Sequence, residues 1–321
     1  MKTIWYVVDE SFIPFIAVNL CSLKKGSIDP SVYSILIYTY KVKKRSNHIL
    51  QNFCDKLDLD ITIIDFEREI SKNLEACNYW NICKKYQPFS SNPLHLSAFI
   101  RIILPLLNNN HSDFCLYLDA DTVIQSDITN LWDICNTTSI LHAVQDKYII
   151  DCGTGLGNYQ DLNINPNDEF FNSGFLFINT KLWNKSNITH QLCKCLQLNC
   201  YNIYDTFGIN CGDQYLLNAV FASKWSKLDE MWNRNAGDYN IDTKIVHYIG
   251  TTKPWESYCH DINFSQFYNY LKLTPWSKWR NYDLRTQRRL RRNNKIRNLI
   301  SNMRIKLGKF KNRILKYLYL K

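Results

Sequence analysis

Phe114-Cys-Leu-Tyr-Leu-Asp-Ala-Asp-Thr-Val-Ile-Gln-Ser-Asp-Ile-Thr-Asn-Leu-Trp132 is the stretch on which the reading of this chain turns. Phe114 to Leu118 is short, apolar and rich in β-forming residues, which predicts a buried strand. Asp119 and Asp121 follow at once. Alternate residues of an extended chain point to one side, so both carboxylates are expected to face the same way. Two carboxylates at the end of a buried strand are costly unless a positive group lies between them. A divalent cation is the natural partner, since Mn²⁺ or Mg²⁺ takes oxygen ligands and keeps positions open for substrate phosphates. Asp-Ala-Asp alone reads more often as a solvated turn. The flanks are more restrictive: an apolar strand before it, then an apolar step and Asp127 opening a short Ile-Thr-Asn-Leu-Trp turn.

Working outward, Thr3 to Val8 reads as the first strand. Phe12 to Leu23 has helical spacing, with Ser11 as N-cap and Pro14 in the first turn. Val32 to Tyr38 and Ile61 to Phe66 read as further strands with a polar helical segment between them. Alternation of strand and helix predicts an α/β fold, with a mostly parallel central sheet flanked by helices. Ligands of such sheets gather at the carboxyl ends of the strands, where both Asp9 and Asp119 fall. Leu96 to Leu107 reads as a helix carrying Arg101 on an apolar stretch, and a buried arginine requires an anionic partner. Ile140 to Gln145 and the run from Phe170 to Asn179 read as strands, with Asn172-Ser-Gly174 as a tight turn before the latter. Gly153-Thr-Gly-Leu-Gly157 reads as a loop rather than a phosphate cradle, because it lies deep in the chain and away from the first strand-to-helix turn.

Lys244-Ile-Val-His-Tyr-Ile-Gly-Thr-Thr-Lys-Pro-Trp255 is the second anchor. A strand ends in His247, a Gly turn follows, and Pro254 fixes Lys253. A lone histidine is more often a core residue; set beside Asp119 and Asp121, a neutral imidazole is a candidate third ligand. Lys253 is a candidate point charge for an anionic substrate group.

The composition, 45% hydrophobic over 321 residues, fits one large globular domain with or without an appendage. The 12 cysteines include no Cys-x-x-Cys pair, which argues against a zinc ribbon and for reduced, mostly buried thiols. Asp9 and Glu10 interrupt the first apolar run too early for a signal peptide, and no apolar run reaches the length of a membrane span. A cytoplasmic protein is therefore expected. The charge of +10 is uneven: Arg285 to Lys321 carries 14 Lys and Arg and no acid, and subtracting these leaves a body of −4. Leu299, Ile300, Met303, Leu307, Phe310, Ile314 and Leu318 form a helical apolar stripe in this tail. Such a helix suits an anionic membrane surface, here the inner face of the cytoplasmic membrane. A solvated tail, a packed terminal helix and a nucleic-acid patch are the other readings, and no recognised nucleic-acid module accompanies it.

The Asp-x-Asp strand and the His-x-x-Gly-x-x-Lys-Pro-Trp block together resemble glycosyltransferase family 8, the retaining nucleotide-sugar transferases of the glycogenin and bacterial lipooligosaccharide galactosyltransferase type. The resemblance spans Met1 to Leu273. It implies a GT-A fold over residues 1–273, with 274–321 as a basic amphipathic tail, and transfer of galactose or glucose from UDP to a glycan such as a lipopolysaccharide core. It also implies that Asp119, Ala120 and Asp121 form the Asp-x-Asp element, that Asp119, Asp121 and His247 hold Mn²⁺ (or Mg²⁺), and that Lys253 and Gly250 lie at the diphosphate. Val7, Asp9 and Ser11 stand in the uracil and ribose positions, although the family usually has Asn where this chain has Ser11. Arg101, within Ser97-Ala-Phe-Ile-Arg-Ile-Ile-Leu-Pro105, falls near the nucleotide. Asp146, Asn172 and Asp213 stand where sugar hydroxyls are contacted, and Gln214 near the anomeric carbon. The 20 tyrosines keep open a protein-directed, glycogenin-like glucosyltransferase. A membrane or nucleic-acid adaptor acting through the tail is the non-enzymatic reading.

Overall fold

Strand-forming and amphipathic runs alternate along the chain, and folding winds them into one large sheet with a small one beside it. The structure is a computed structural model and describes residues 1–86, 96–108, 112–135, 138–199, 212–238, 241–250, 253–254 and 262–279. In chain order, the large sheet holds β1 (Lys2–Val8), β2 (Tyr33–Thr39), β3 (Asp60–Asp65), β4 (Phe114–Leu118), β6 (Leu141–Gln145), β7 (Phe171–Asn179) and β8 (Ser226–Leu228). Across the sheet they lie in the order β3-β2-β1-β4-β7-β6-β8. Only β7 runs against its neighbours there; every other pairing is parallel. The small sheet has the order β5-β10-β9, from Thr122–Ile124, Ile245–His247 and Arg234–Asn235.

The core lies on both faces because side chains alternate along each strand. Ile4, Tyr6 and Val8 of β1 pack with the helices Ile13–Gly26 and Lys44–Cys54. Trp5 and Val7 pack on the opposite side with the helices Leu74–Tyr86 and Gly212–Phe221. β4 divides in the same way, Leu116 and Leu118 to one cluster and Cys115 and Tyr117 to the other. Both leucines are fully buried, each contributing about 1.5–3 kcal/mol by removal from water. The chain winds outward through β2 and β3, then returns to place β4 on the other side of β1. This reversal opens a crevice beyond the carboxyl ends of β1 and β4. Pairing of Trp5 with Tyr117 fixes the register there, so Val7 and Asp119 leave the sheet at the same level.

Several local expectations are corrected. Asp9, not Ser11, caps the first helical turn: its carboxylate accepts from the Ser11 backbone N–H at 2.9 Å and the Ser11 hydroxyl at 2.6 Å. Leu96 to Leu107 is two 3-10 segments, Ser97–Ile102 and Leu104–Leu107, rather than one α-helix. Pro105 removes a backbone donor, and three isoleucines disfavour the wider α turn. Asn172-Ser-Gly174 lies inside β7, where the pairing with β6 shifts register between Ala143 and Val144. A short helix, Cys152–Gly155, replaces the expected loop, capped by the Asp151 carboxylate on Thr154 N–H. The packed body also runs past Leu273: Trp279 meets Phe15 edge-on at 4.9 Å between ring centres, and Trp276 meets Phe53. The apolar stripe and the basic tail from residue 280 onward lie outside the described residues, as do Thr251, Thr252 and Trp255 of the second anchor.

Candidate active site

Asp119, Ala120 and Asp121 occupy the connection from β4 to β5. The connection is held on every side. Asp119 N–H donates to Gly174 O at 2.8 Å, Thr122 Oγ1 donates to Asp119 O at 2.8 Å, and Tyr248 N–H donates to Asp121 O at 3.1 Å. Behind it the buried Asn19 donates to Thr122 Oγ1 at 2.7 Å and accepts from the Tyr6 hydroxyl at 2.6 Å. An asparagine in the middle of an apolar helix is thus the brace of this turn.

β10 pairs antiparallel with β5, matching His247 to Thr122, and so delivers the imidazole to the two carboxylates. His247 Nε2 lies 3.4 Å from Asp121 Oδ1 and 3.8 Å from Asp119 Oδ2. One ligand atom from each of the three residues falls within 4.8 Å of the others. Gly250 follows with φ +58°, a left-handed turn that glycine adopts without strain, and Lys253 comes back to pair with Asp121. Burial alone would raise the Asp121 pKa; Lys253 and His247 outweigh it and hold the carboxyl well below the usual range. Two carboxylates and one imidazole, with a cation already drawn to them, fit a hard or borderline divalent ion.

Arg101 lies directly behind. It is buried over the Tyr117 ring, at 4.6 Å, and its guanidinium meets Asp119 at 2.9 Å and Asp213 at 3.2 Å. Burial disfavours its charge, but Asp119 and Asp213 more than compensate and raise its pKa. It also donates to Ser173 O at 2.6 Å. The anionic partners that its burial requires are thus two carboxylates of the candidate site, Asp119 and Asp213. The Tyr117 hydroxyl adds a second donor to Asp119 Oδ1, at 2.8 Å.

The remaining candidates converge through the displaced stretch of β7. Asp213 and Gln214 open the helix Gly212–Phe221. The Ser173 hydroxyl donates to Asp213 at 2.9 Å, and Ser173 N–H donates to Gln214 Oε1 at 3.0 Å. Gln214 Nε2 and Asn172 Nδ2 both donate to Asp146 Oδ2, at 3.1 and 2.9 Å. Asp146 Oδ1 accepts from the Tyr148 and Ile149 backbone N–H groups. Asn233 closes the ring, donating to Asn172 Oδ1 at 3.0 Å while its Oδ1 sits 2.9 Å from His247 Nδ1. Val7, Asp9 and Ser11 stand one strand away, linked by the Ser97 hydroxyl on Asp9 Oδ2 at 3.3 Å. The structure thus joins Arg101, Asp119, Asp121, Asp146, Asn172, Asp213, Gln214, His247 and Lys253 in one constellation. It adds Tyr117, Ser173 and Asn233, which no sequence pattern singled out. A cleft of about 670 Å³ opens beside Asp146 and Asn172, and its cations Lys147, Lys227 and Arg234 are each paired with an acid.

A mostly parallel sheet, with an Asp-x-Asp turn and a helix-borne Asp-Gln pair at its crevice, defines a GT-A glycosyltransferase. The solved structure of the galactosyltransferase LgtC with donor and acceptor sugar analogs shares this fold, with a TM-score of 0.65 at 17% identity over 85% of this chain and 96% of that one. Residues 3–259 match the model of glycosyl transferase family 8, and the chain belongs to that family. It is 25% identical over 210 residues to General stress protein A of Bacillus subtilis, covering 58% of this chain and 68% of that protein. It is 24% identical over 289 residues to the lipopolysaccharide 1,2-glucosyltransferase of Escherichia coli, covering 84% and 77%.

Proposed function

We propose that this protein moves galactose or glucose from a UDP-sugar to a glycan, with retention of anomeric configuration and with Mn²⁺ held by Asp119, Asp121 and His247. The observation that carries the reading is the convergence of those three ligands with Lys253 at the switch point of the sheet. An imidazole among the ligands favours Mn²⁺ over Mg²⁺. A bound ion would stabilise the negative charge that develops on the diphosphate leaving group. Lys253 would leave Asp121 to neutralise the same diphosphate, and Val7, Asp9 and Ser11 would take the uracil and ribose.

Asp213 and Asn172 would orient the donor sugar beside Gln214. Retention by way of a covalent intermediate needs a carboxylate nucleophile. Asp146 already accepts from four donors and Asp213 is tied to Arg101 and Ser173, which favours displacement on the same face of the sugar, assisted by the leaving phosphate. The cleft beside Asp146, with its cations paired, suits a neutral sugar acceptor. The Escherichia coli relative supports a lipopolysaccharide-type glycan, met at the inner face of the cytoplasmic membrane through the basic tail.

The test is metal-dependent hydrolysis and transfer from UDP-galactose and UDP-glucose. Asp119→Asn and Asp121→Asn are expected to lower turnover by about a hundredfold or more and to raise the Mn²⁺ requirement. Full activity of either variant in the presence of chelator would overturn the metal assignment.

A further inference from the structure

Asn233 belongs to none of the sequence patterns, yet it is buried against the imidazole of His247. We infer that Asn233 is a positioning residue that fixes His247 in the tautomer protonated on Nδ1, turning a bare Nε2 toward Asp119 and Asp121. The inference rests on the metal reading proposed above. It is carried by a relay of hydrogen bonds whose direction is set by groups that have no choice.

The relay starts at Asn172. The Gly174 backbone N–H can only donate, and it points at Asn172 from 3.0 Å, so the atom receiving it is the amide oxygen. The other end of that amide faces Asp146 Oδ2 at 2.9 Å, and a carboxylate only accepts, so that end is nitrogen. Two independent partners therefore agree on one orientation. Asp146 is itself immobilised by the Tyr148 and Ile149 backbone N–H groups and by Gln214. The amide of Gln214 is oriented in turn by Ser173 N–H.

With the Asn172 oxygen fixed, Asn233 must meet it through Nδ2, at 3.0 Å. That leaves Asn233 Oδ1 facing His247 Nδ1 at 2.9 Å. An amide oxygen only accepts, so Nδ1 carries a hydrogen; Nε2, which donates to Asp121 when the ring is charged, carries the lone pair when the ring is neutral. Nε2 is the atom that lies 3.4 Å from Asp121 and 3.8 Å from Asp119. Partners of this kind orient a ligating imidazole and raise its basicity, and their loss costs about 10–100-fold in metal affinity.

The first measurement needs neither metal nor mutation. A proton–nitrogen correlation spectrum of the metal-free full chain, recorded where the ring is neutral, shows which nitrogen of His247 is protonated. Nδ1–H is expected; Nε2–H in the wild type overturns the inference. The second compares variants by the tautomer and by Mn²⁺ affinity from electron paramagnetic resonance. Asn233→Leu keeps the forked side chain without the acceptor, so a mixture of tautomers and about 10–100-fold weaker Mn²⁺ binding are expected. Asn233→Asp keeps an oxygen at Nδ1 and is expected to recover part of that loss. Indistinguishable Leu and Asp variants, or a Leu variant with unchanged tautomer and affinity, overturn the role. Wild-type protein that binds no Mn²⁺ would sink the metal reading instead, while the metal-free spectrum decides the tautomer separately.

Discussion

A methyl group on Gly174 would stand 2.3 Å from His247 Cε1 and 2.7 Å from Asp119 Oδ2. The backbone there is pinned on both sides, since its N–H bonds Asn172 and its carbonyl receives Asp119 N–H. Gly174→Ala must therefore push the His247 ring or the Asp119 carboxylate aside, and, on the proposed metal site, more than about tenfold loss of Mn²⁺ affinity is expected. Titration by electron paramagnetic resonance checks this, and unaltered affinity would show that the close approach is dispensable. Lys253→Ala is expected to weaken UDP binding about tenfold, equivalent to ~1.4 kcal/mol, and to lower the melting temperature as well, because it leaves the buried Asp121 carboxylate without its ammonium partner. Calorimetric titration with UDP decides it. The cluster of Asp119, Asp121, His247 and Lys253 was legible in the sequence because carboxylates at a strand end and a lysine locked by proline are chemically conspicuous. Asn233, Ser173 and Tyr117 were not. Asn233 follows a single 3-10 turn and its partner His247 lies 14 residues away, a spacing with no period to read. Tyr117 reads simply as strand core, and only folding reveals where its hydroxyl ends.

Among the elements, the long apolar strands were legible nearly to the residue, because burial on both faces leaves a continuous β-prone run. β5, β8 and β9 have three residues or fewer, too short to show periodicity, so the small sheet appears only in three dimensions. The displaced stretch of β7 was legible as an irregularity but not as one inside a strand. What distinguishes a turn from a bulge is the neighbour it pairs with, and that neighbour is β6, thirty or so residues earlier. Trp276 and Trp279 fall in the 274–321 segment read as a tail, yet they pack on Phe53 and Phe15 of the two helices covering one sheet face. Trp279→Ala is expected to lower stability by about 1–3 kcal/mol while leaving Mn²⁺ affinity unchanged. Denaturant midpoints provide the measurement, and an unshifted midpoint would show that the contact contributes nothing.

At the scale of the whole molecule, an acidic body carries a strongly basic tail. Each Lys or Arg close to an anionic leaflet contributes about 1 kcal/mol, so engagement of even part of the tail would hold the protein at a membrane. Every residue proposed for chemistry precedes it, and the packed tryptophans do too. Truncation after Asp283 is therefore expected to abolish co-sedimentation with anionic vesicles and to spare transfer to a soluble acceptor. Equal sedimentation of both forms would refute the anchor, and lost transfer would make the tail part of the catalytic body. The seam between β5 and β10 has a different consequence. Lys253 reaches Asp121 across 132 residues of chain, and His247, at the end of the short strand β10, precedes it by six residues. Contacts of such long sequence separation demand the largest loop closure, and chains dominated by them fold slowly. A chain emerging during synthesis can gather β1 to β4 and most of their helices before either group exists to join them. Until β10 docks, the two aspartates face each other without imidazole or ammonium, so the proposed Mn²⁺ site would form only once this seam has closed, and ion binding would report that closure.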